Sequence, residues 1–264
     1  MEASERRLGQ ILTDQIRYEI PPYQRPYSWE TGNVEQLLDD VWEAFQAQDD
    51  EYFIGSLITI EKKKAEHYEV VDGQQRLTTL NLIFARLRDA LDEPAKSTLG
   101  AIVLPKNVLT GEEEAPRLIL RSRDQAFFRL HVLAAKPLGD TDRKKIEKEQ
   151  DAPKRRIIEN LGTIDAFIAD KTRQTLMLFA NFLLTRVYVV FVTTKSLQSA
   201  HRLFNVLNAR GVPLSNADLI KNMLFGKLPG GLTGAQNSMS AGWSSKKRSG
   251  SSGWINSLVT TGLR

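Results

Sequence analysis

An α+β fold is predicted by three features of the sequence. Two β-rich segments, Tyr52–Ile60 and His67–Val71, flank a charged turn. A short β-branched run, Val187–Val192 (VYVVFV), stands far downstream of them. Between and around these lie stretches with apolar residues at helical spacing.

Taken in order, Ser4 to Thr13 reads as a short helix. Ile16, Tyr18 and Ile20 then alternate with polar residues, as a strand does, until Pro21-Pro22 removes the chain from any ladder. Val34, Leu37, Leu38, Val41, Trp42 and Phe45 form one face of an amphipathic helix, with Thr31 or Asn33 as its N-cap. Tyr52–Ile60, the turn EKKKAE and His67–Val71 make a hairpin that ends at Asp72-Gly73. From Gln75 the chain turns helical, with Leu77, Leu80, Ile83, Phe84 and Leu87 on one side.

Residues 91–185 carry no motif. They read as a loop, a partly helical 112–135 region, a charged run (TDRKKIEKEQDAPKRR) fit for a solvated face or connection, and one long or two shorter helices over 155–185. After Val187–Val192, Leu197–Leu207 reads as a helix, NARGVPLS as a turn and Asn216–Phe225 as a second helix. The Gly/Ser-rich stretch from Pro229 onward contains no acid and reads as flexible, in the manner of a cloning scar or frameshifted terminus. The expected organisation is a core in two parts, 1–90 and 186–228, interrupted by a helical insertion at 91–185 and followed by the 229–264 tail.

Composition narrows the function classes. The 264 residues include no cysteine, which excludes disulfides and thiolate metal sites. No apolar run approaches the ~20 residues of a membrane span, and MEASERRLGQ lacks a signal-peptide core, so a cytoplasmic protein without membrane association is expected. The net charge of +4 is misleading. Residues 1–218 hold 30 Lys/Arg against 32 Asp/Glu, and all six basic residues beyond them lie in the acid-free end. A nucleic-acid interface would therefore have to be a local patch. No P-loop, nucleophile-elbow or zincin signature is present, and the histidines (His67, His131, His201) are dispersed.

Three segments could carry chemistry. In IPPYQRPYSW (20–29), Arg25 offers a forked donor suited to phosphate beside Gln24, and Tyr23, Tyr27 or Trp29 could stack on a base. The same residues also suit a Pro-rich turn with packed aromatics. In EVVDGQQRLTTL (69–80), a strand ends in Asp72-Gly73 and a helix begins at once, so backbone N–H groups could form an anion site. Gly73 would allow close approach, Arg76 would neutralise an anion, and Asp72 could bind a divalent metal or orient water. Alternatively Asp72 caps the helix and Gly73 makes the turn. In LFNVLNARGVPLSNADLIKNMLF (203–225), Asn205 and Asn208 share a helix face, Gly211 suits a C-cap, and Asp218 and Lys221 sit at i, i+3. A well-capped helical hairpin with a surface ion pair accounts for these equally.

Together and in this order, YQRPYSW, FIGSLITI with VVDGQQRLTTL, and LFNVLNARGVPLSNADLIKN resemble the GmrSD-type restriction protein family, in its N-terminal, ParB/sulfiredoxin-like domain. The resemblance implies a small mixed sheet containing 53–60, 67–71 and 187–192, with a large helical insertion and C-terminal helices. It implies a domain that binds and hydrolyses a nucleoside triphosphate, with Mg²⁺ or Ca²⁺, and so regulates restriction of modified or foreign DNA. The cutting would be done by an HNH-type nuclease domain or subunit, for which this chain offers no His-rich segment. A homo-oligomer is compatible with it. Asp72, Gln75 and Arg76 would then be catalytic. Gln24, Arg25, Gly73, Gln74, Asn205, Asn208, Gly211, Asp218 and Lys221 would bind the nucleotide. A non-hydrolytic module that binds DNA or senses a modified base is the alternative.

Overall fold

A computed structural model describes residues 2–13, 16–63, 66–107, 109–200 and 202–203, all within one compact unit spanning Met1–Phe225. It is an α+β structure built on a mixed six-stranded sheet. The strands are β1 (Glu2–Arg7), β2 (Arg17–Glu19), β3 (Tyr52–Lys63), β4 (His67–Asp72), β5 (Leu118–Ile119) and β6 (Val187–Thr194). Their spatial order is β1-β6-β3-β4-β2-β5. β3 runs parallel to β6 and antiparallel to β4, while β4, β2 and β5 are parallel to one another. The helices are α1 (Leu8–Thr13), α2 (Thr31–Gln46), α3 (Gln74–Ala90), α4 (Ala95–Val103), α5 (Ser122–Phe128), α6 (Asp140–Lys148), α7 (Ala152–Ala169) and α8 (Arg173–Arg186). No helix of the described residues is long and apolar enough to cross a membrane.

The interior strand β6 has no polar face because both of its faces are covered. Val187, Val189 and Phe191 join the main core beneath α1, α3 and α8. Val190 and Val192 face the other way and pack with Ile58, Ile60 and Val71. A helical turn starting at Leu197 places Ala200 and Leu203 over that second face. Each buried side chain of this size contributes about 2 kcal/mol. The main core is continuous from the sheet through α2 and α3 to Ile157, Leu161 and Ile164 of α7. The helices of 91–185 thus share the core of the sheet they interrupt.

Several local expectations are corrected. Residues 2–7 form an edge strand, and only Leu8–Thr13 is helical. The helix predicted from Ser4 is overruled by antiparallel pairing with β6, reinforced by Arg6 over the Phe191 ring at 4.3 Å and Arg7 Nε on the Tyr188 hydroxyl at 2.8 Å. The N-cap of α2 is Glu30, and Asn33 completes a capping box by accepting from the Glu30 N–H at 3.0 Å. The stretch 155–185 is two helices, broken after Ala169; Asp151 caps α7 and Thr172 caps α8. The charged run folds as α6 and the start of α7. The insertion also contributes a strand, β5, that the sequence does not announce.

Candidate functional site

Three parallel strands deliver their carboxyl ends to one edge of the sheet. β4 ends at Asp72, β2 leads into Ile20–Arg25, and β5 leads into Leu120 and Arg121. The antiparallel β3 brings Ser56 to the same edge, through the register that sets Ile58 opposite Asp72. Clefts at the carboxyl ends of parallel strands are where open sheets with helical connections bind ligands.

The turn from β4 into α3 is made by Gly73, the N-cap of α3, at φ 89° and ψ 4°. A Cβ at this position would lie 2.9 Å from the Ser56 carbonyl oxygen and 3.1 Å from Leu57 Cδ1. Left-handed backbone and close approach together demand glycine here. Asp72 is half-buried. Desolvation raises its pKa above 3.8, opposed by hydrogen bonds from the Gly73 N–H and the Ser56 hydroxyl and by the charges of Arg76 and Arg25. The Arg76 guanidinium donates from Nη1 to the Ser56 carbonyl at 3.0 Å. Burial lowers its pKa, and Asp72 counters that effect. A carboxylate and a guanidinium are thus held in poor solvent, each supporting the other's charge.

The 23–29 segment is braced at many points. Gln24 Nε2 donates to the Val71 carbonyl at 2.8 Å, fixing the loop to the last turn of β4. The Gln75 amide donates to the Pro26 carbonyl at 3.0 Å and accepts from the Ser28 N–H at 2.8 Å. Tyr27 is buried, and burial pushes its hydroxyl up to about 12. That hydroxyl pairs with Thr79 Oγ1 at 2.8 Å and accepts from Asn160 Nδ2 at 2.8 Å. Asn160 also donates to the Trp29 carbonyl at 2.9 Å. Of the three aromatics, Trp29 packs against the core, while Tyr23 is exposed with its hydroxyl bonded to Glu69. Arg25 is exposed, and no ion pair or hydrogen bond joins it to a described residue.

These contacts divide the residues that the sequence singles out. Asp72, Gly73 and Arg76 are brought together, and Arg25 is near enough for its charge to act on Asp72. Gln24 and Gln75 are engaged with backbone, and Gln74 is buried beside Arg25 in a shared cleft. Gln75, expected among the catalytic groups, has both ends of its amide engaged in holding the loop. Gln75→Ala is therefore expected to lower stability by about 1–3 kcal/mol, because the Pro26 carbonyl and the Ser28 N–H lose this partner; denaturant midpoints check this. Asn205, Asn208, Gly211, Asp218 and Lys221 lie outside the described residues.

Four participants were not singled out as site residues by the sequence: Ser56, Asn160, Arg121 and Asp124. Ser56 follows Gly55, whose φ of 107° marks an irregularity in β3. The other three sit in the motif-free 91–185 region and reach the site only through the fold.

The donor set suits a phosphorylated ligand, since it combines an uncommitted arginine, a second arginine and a glycine turn at the start of a 17-residue helix. Among the described residues no group of three or more His, Cys, Asp or Glu could hold a metal by itself. Asp72 can supply one oxygen to a divalent cation whose remaining ligands are phosphate oxygens and water, the usual manner of Mg²⁺.

The profile of the GmrSD restriction endonuclease N-terminal domain matches residues 8–225 of the chain. No curated protein matches it.

Proposed function

Since the chain belongs to the GmrSD restriction endonuclease N-terminal domain family, and so to a DNA restriction system, we propose that the edge of the sheet binds and hydrolyses a nucleoside triphosphate. The observation that supports this most is that Asp72 and Arg76 flank the Gly73 turn and feel each other's charge, with uncommitted Arg25 also acting on Asp72. We read the sheet as the ParB/sulfiredoxin-like core of that family.

Arg25 and Arg76 neutralise phosphate charge, and they do so more strongly as the reacting phosphoryl group spreads charge over its oxygens. Asp72 accepts a hydrogen bond from the attacking water and aligns it, or contributes its oxygen to a phosphate-bound cation. A divalent cation, when bound, neutralises the terminal phosphates. Water attacks the terminal phosphorus, the bond to the bridging oxygen breaks, and the nucleoside diphosphate leaves. Coupled to an HNH-type nuclease domain or subunit, this turnover would regulate cutting of modified or foreign DNA.

The test is phosphate release from each of the four ribonucleoside triphosphates with Mg²⁺ or Ca²⁺, with and without modified DNA. Turnover abolished by Arg76→Ala is the expected result. Salt-dependent DNA binding without turnover would instead favour the non-hydrolytic DNA-sensing reading.

A pH dependence follows from the burial of Asp72. If ionised Asp72 is required, kcat/KM falls as pH decreases through its pKa, and that acid limb lies above the ordinary carboxylate value of 3.8. Stability carries the opposite sign. The folded state binds this proton more tightly than the unfolded state, so the contribution is full below 3.8 and lost as pH rises through the folded-state pKa. An acid limb at or below 3.8, or a profile unchanged in Asp72→Asn, removes Asp72 from this role.

A further inference from the structure

The insertion places an acidic side chain at the same edge, and contacts at the helix start leave one of its oxygens unbonded. Arg121 follows β5 as the N-cap of α5, and Asp124 lies in the first turn of that helix. Asp124 is 3% exposed. Its Oδ2 takes both hydrogen bonds from Arg121, Nε at 3.2 Å and Nη2 at 2.7 Å. Its Oδ1 is buried and has no partner among the described residues. Leaving a carboxylate oxygen buried and unbonded is costly, so a donor from outside the fold is its natural complement.

Asp124 and Arg121 line a cleft with Arg25, Gln74 and Gln75. Its volume is about 10 Å³, close to the room one water or one hydroxyl needs and too small for a ring. An ionised carboxylate only accepts hydrogen bonds, so its partner must donate. Arg25 and Arg121 on the same walls disfavour a cation. A neutral donor therefore remains, either a water or the hydroxyl of a ligand whose anionic part Arg25 holds. In a nucleotide the sugar hydroxyls lie within one ring of the phosphates, whereas base amino groups lie at the far end. We infer that Asp124 Oδ1 accepts a hydrogen bond from a sugar hydroxyl of the bound nucleotide, making the insertion the part of the site that selects ribonucleotides.

This inference rests on the nucleotide reading above, and the test separates the two. Equilibrium binding is measured for the ribonucleoside triphosphate that binds best in the four-nucleotide panel, and for its 2′-deoxy and 3′-deoxy forms. The wild-type chain is expected to bind one deoxy form at least about 10-fold more weakly, equivalent to about 1.4 kcal/mol. In Asp124→Ala neither an acceptor nor a donor is left to meet the hydroxyl, whereas an asparagine NH₂ could still donate to it. The preference is expected to disappear in that variant, whose folding is checked by its melting temperature. Equal binding of all three nucleotides by wild type, or a preference that survives Asp124→Ala, overturns the inference and leaves Oδ1 to a water. The wild-type comparison decides the matter even if the variant does not fold. Failure of every nucleotide to bind overturns the nucleotide reading itself, and this inference with it.

Discussion

Replacing Arg76 by alanine is expected to reduce nucleotide hydrolysis by about 100-fold or more, the effect typical of removing one group aimed at developing transition-state charge. It is also expected to destabilise the fold. The guanidinium donates to the Ser56 carbonyl and offsets the charge of half-buried Asp72. Removing one member of a fully buried charge pair costs about 3–5 kcal/mol. Asp72 and Arg76 make no direct ion pair and Asp72 is only half-buried, so the expected cost is about 1–2 kcal/mol. The two losses can be separated. In the double variant Asp72→Asn/Arg76→Ala no charge is left unsupported, so denaturant midpoints should recover most of the stability while hydrolysis stays absent. Arg76→Lys keeps the charge but not the planar fork, and should fall between the two. Hydrolysis by a folded Arg76→Ala chain within about 3-fold of wild type would sink the catalytic assignment. Recovery of hydrolysis along with stability in the double variant would show that Arg76 acts only as scaffold.

Much of the sheet was legible because its strands carry period-2 or fully apolar patterns, and α2 and α3 because their apolar residues recur at helical spacing. What escaped did so for physical reasons. β1 has the sequence EASERR, which no pattern identifies as a strand. It becomes one because β6 presents an open edge and the ring of Phe191 beneath Arg6. β5 is two residues long in a segment without periodicity, yet its pairing with β2 carries Arg121 and Asp124 to the site. Their nearness to Arg25 is a product of strand order, which short-range pattern does not encode. The site divides in the same way. The sequence indicates that a glycine turn, an acid and an arginine stand together at 72–76, because adjacency in the chain is preserved in the turn. It does not indicate which glutamine side chains face a ligand. Gln24 and Gln75 have the same amide chemistry whether they bind phosphate or hold backbone, and only the positions of Val71, Pro26 and Ser28 decide for the backbone.

Gly73→Ala is expected to damage stability and activity together through a single displacement. At φ 89° an L-residue incurs a left-handed strain of about 1–2 kcal/mol. The added Cβ would also stand 2.9 Å from the Ser56 carbonyl oxygen, a backbone atom that can move only with β3. Together these predict a loss of about 2 kcal/mol or more, which lowers the melting temperature by roughly 4–8 °C in a chain of this size. The carbonyl that must yield is the acceptor for Arg76, and Ser56 also hydrogen-bonds Asp72. A shift there misaligns both charges, so hydrolysis should fall more than the loss of folded protein explains. Gly73→Asn separates the two causes. Asparagine tolerates left-handed backbone better than alanine but carries the same Cβ. If backbone strain dominates, Gly73→Asn should recover about 1 kcal/mol over Gly73→Ala. If the contact with Ser56 dominates, both variants should be equally impaired in stability and turnover. Wild-type melting and turnover in Gly73→Ala would mean that the turn relaxes freely, and that the alignment of Asp72 and Arg76 does not depend on it.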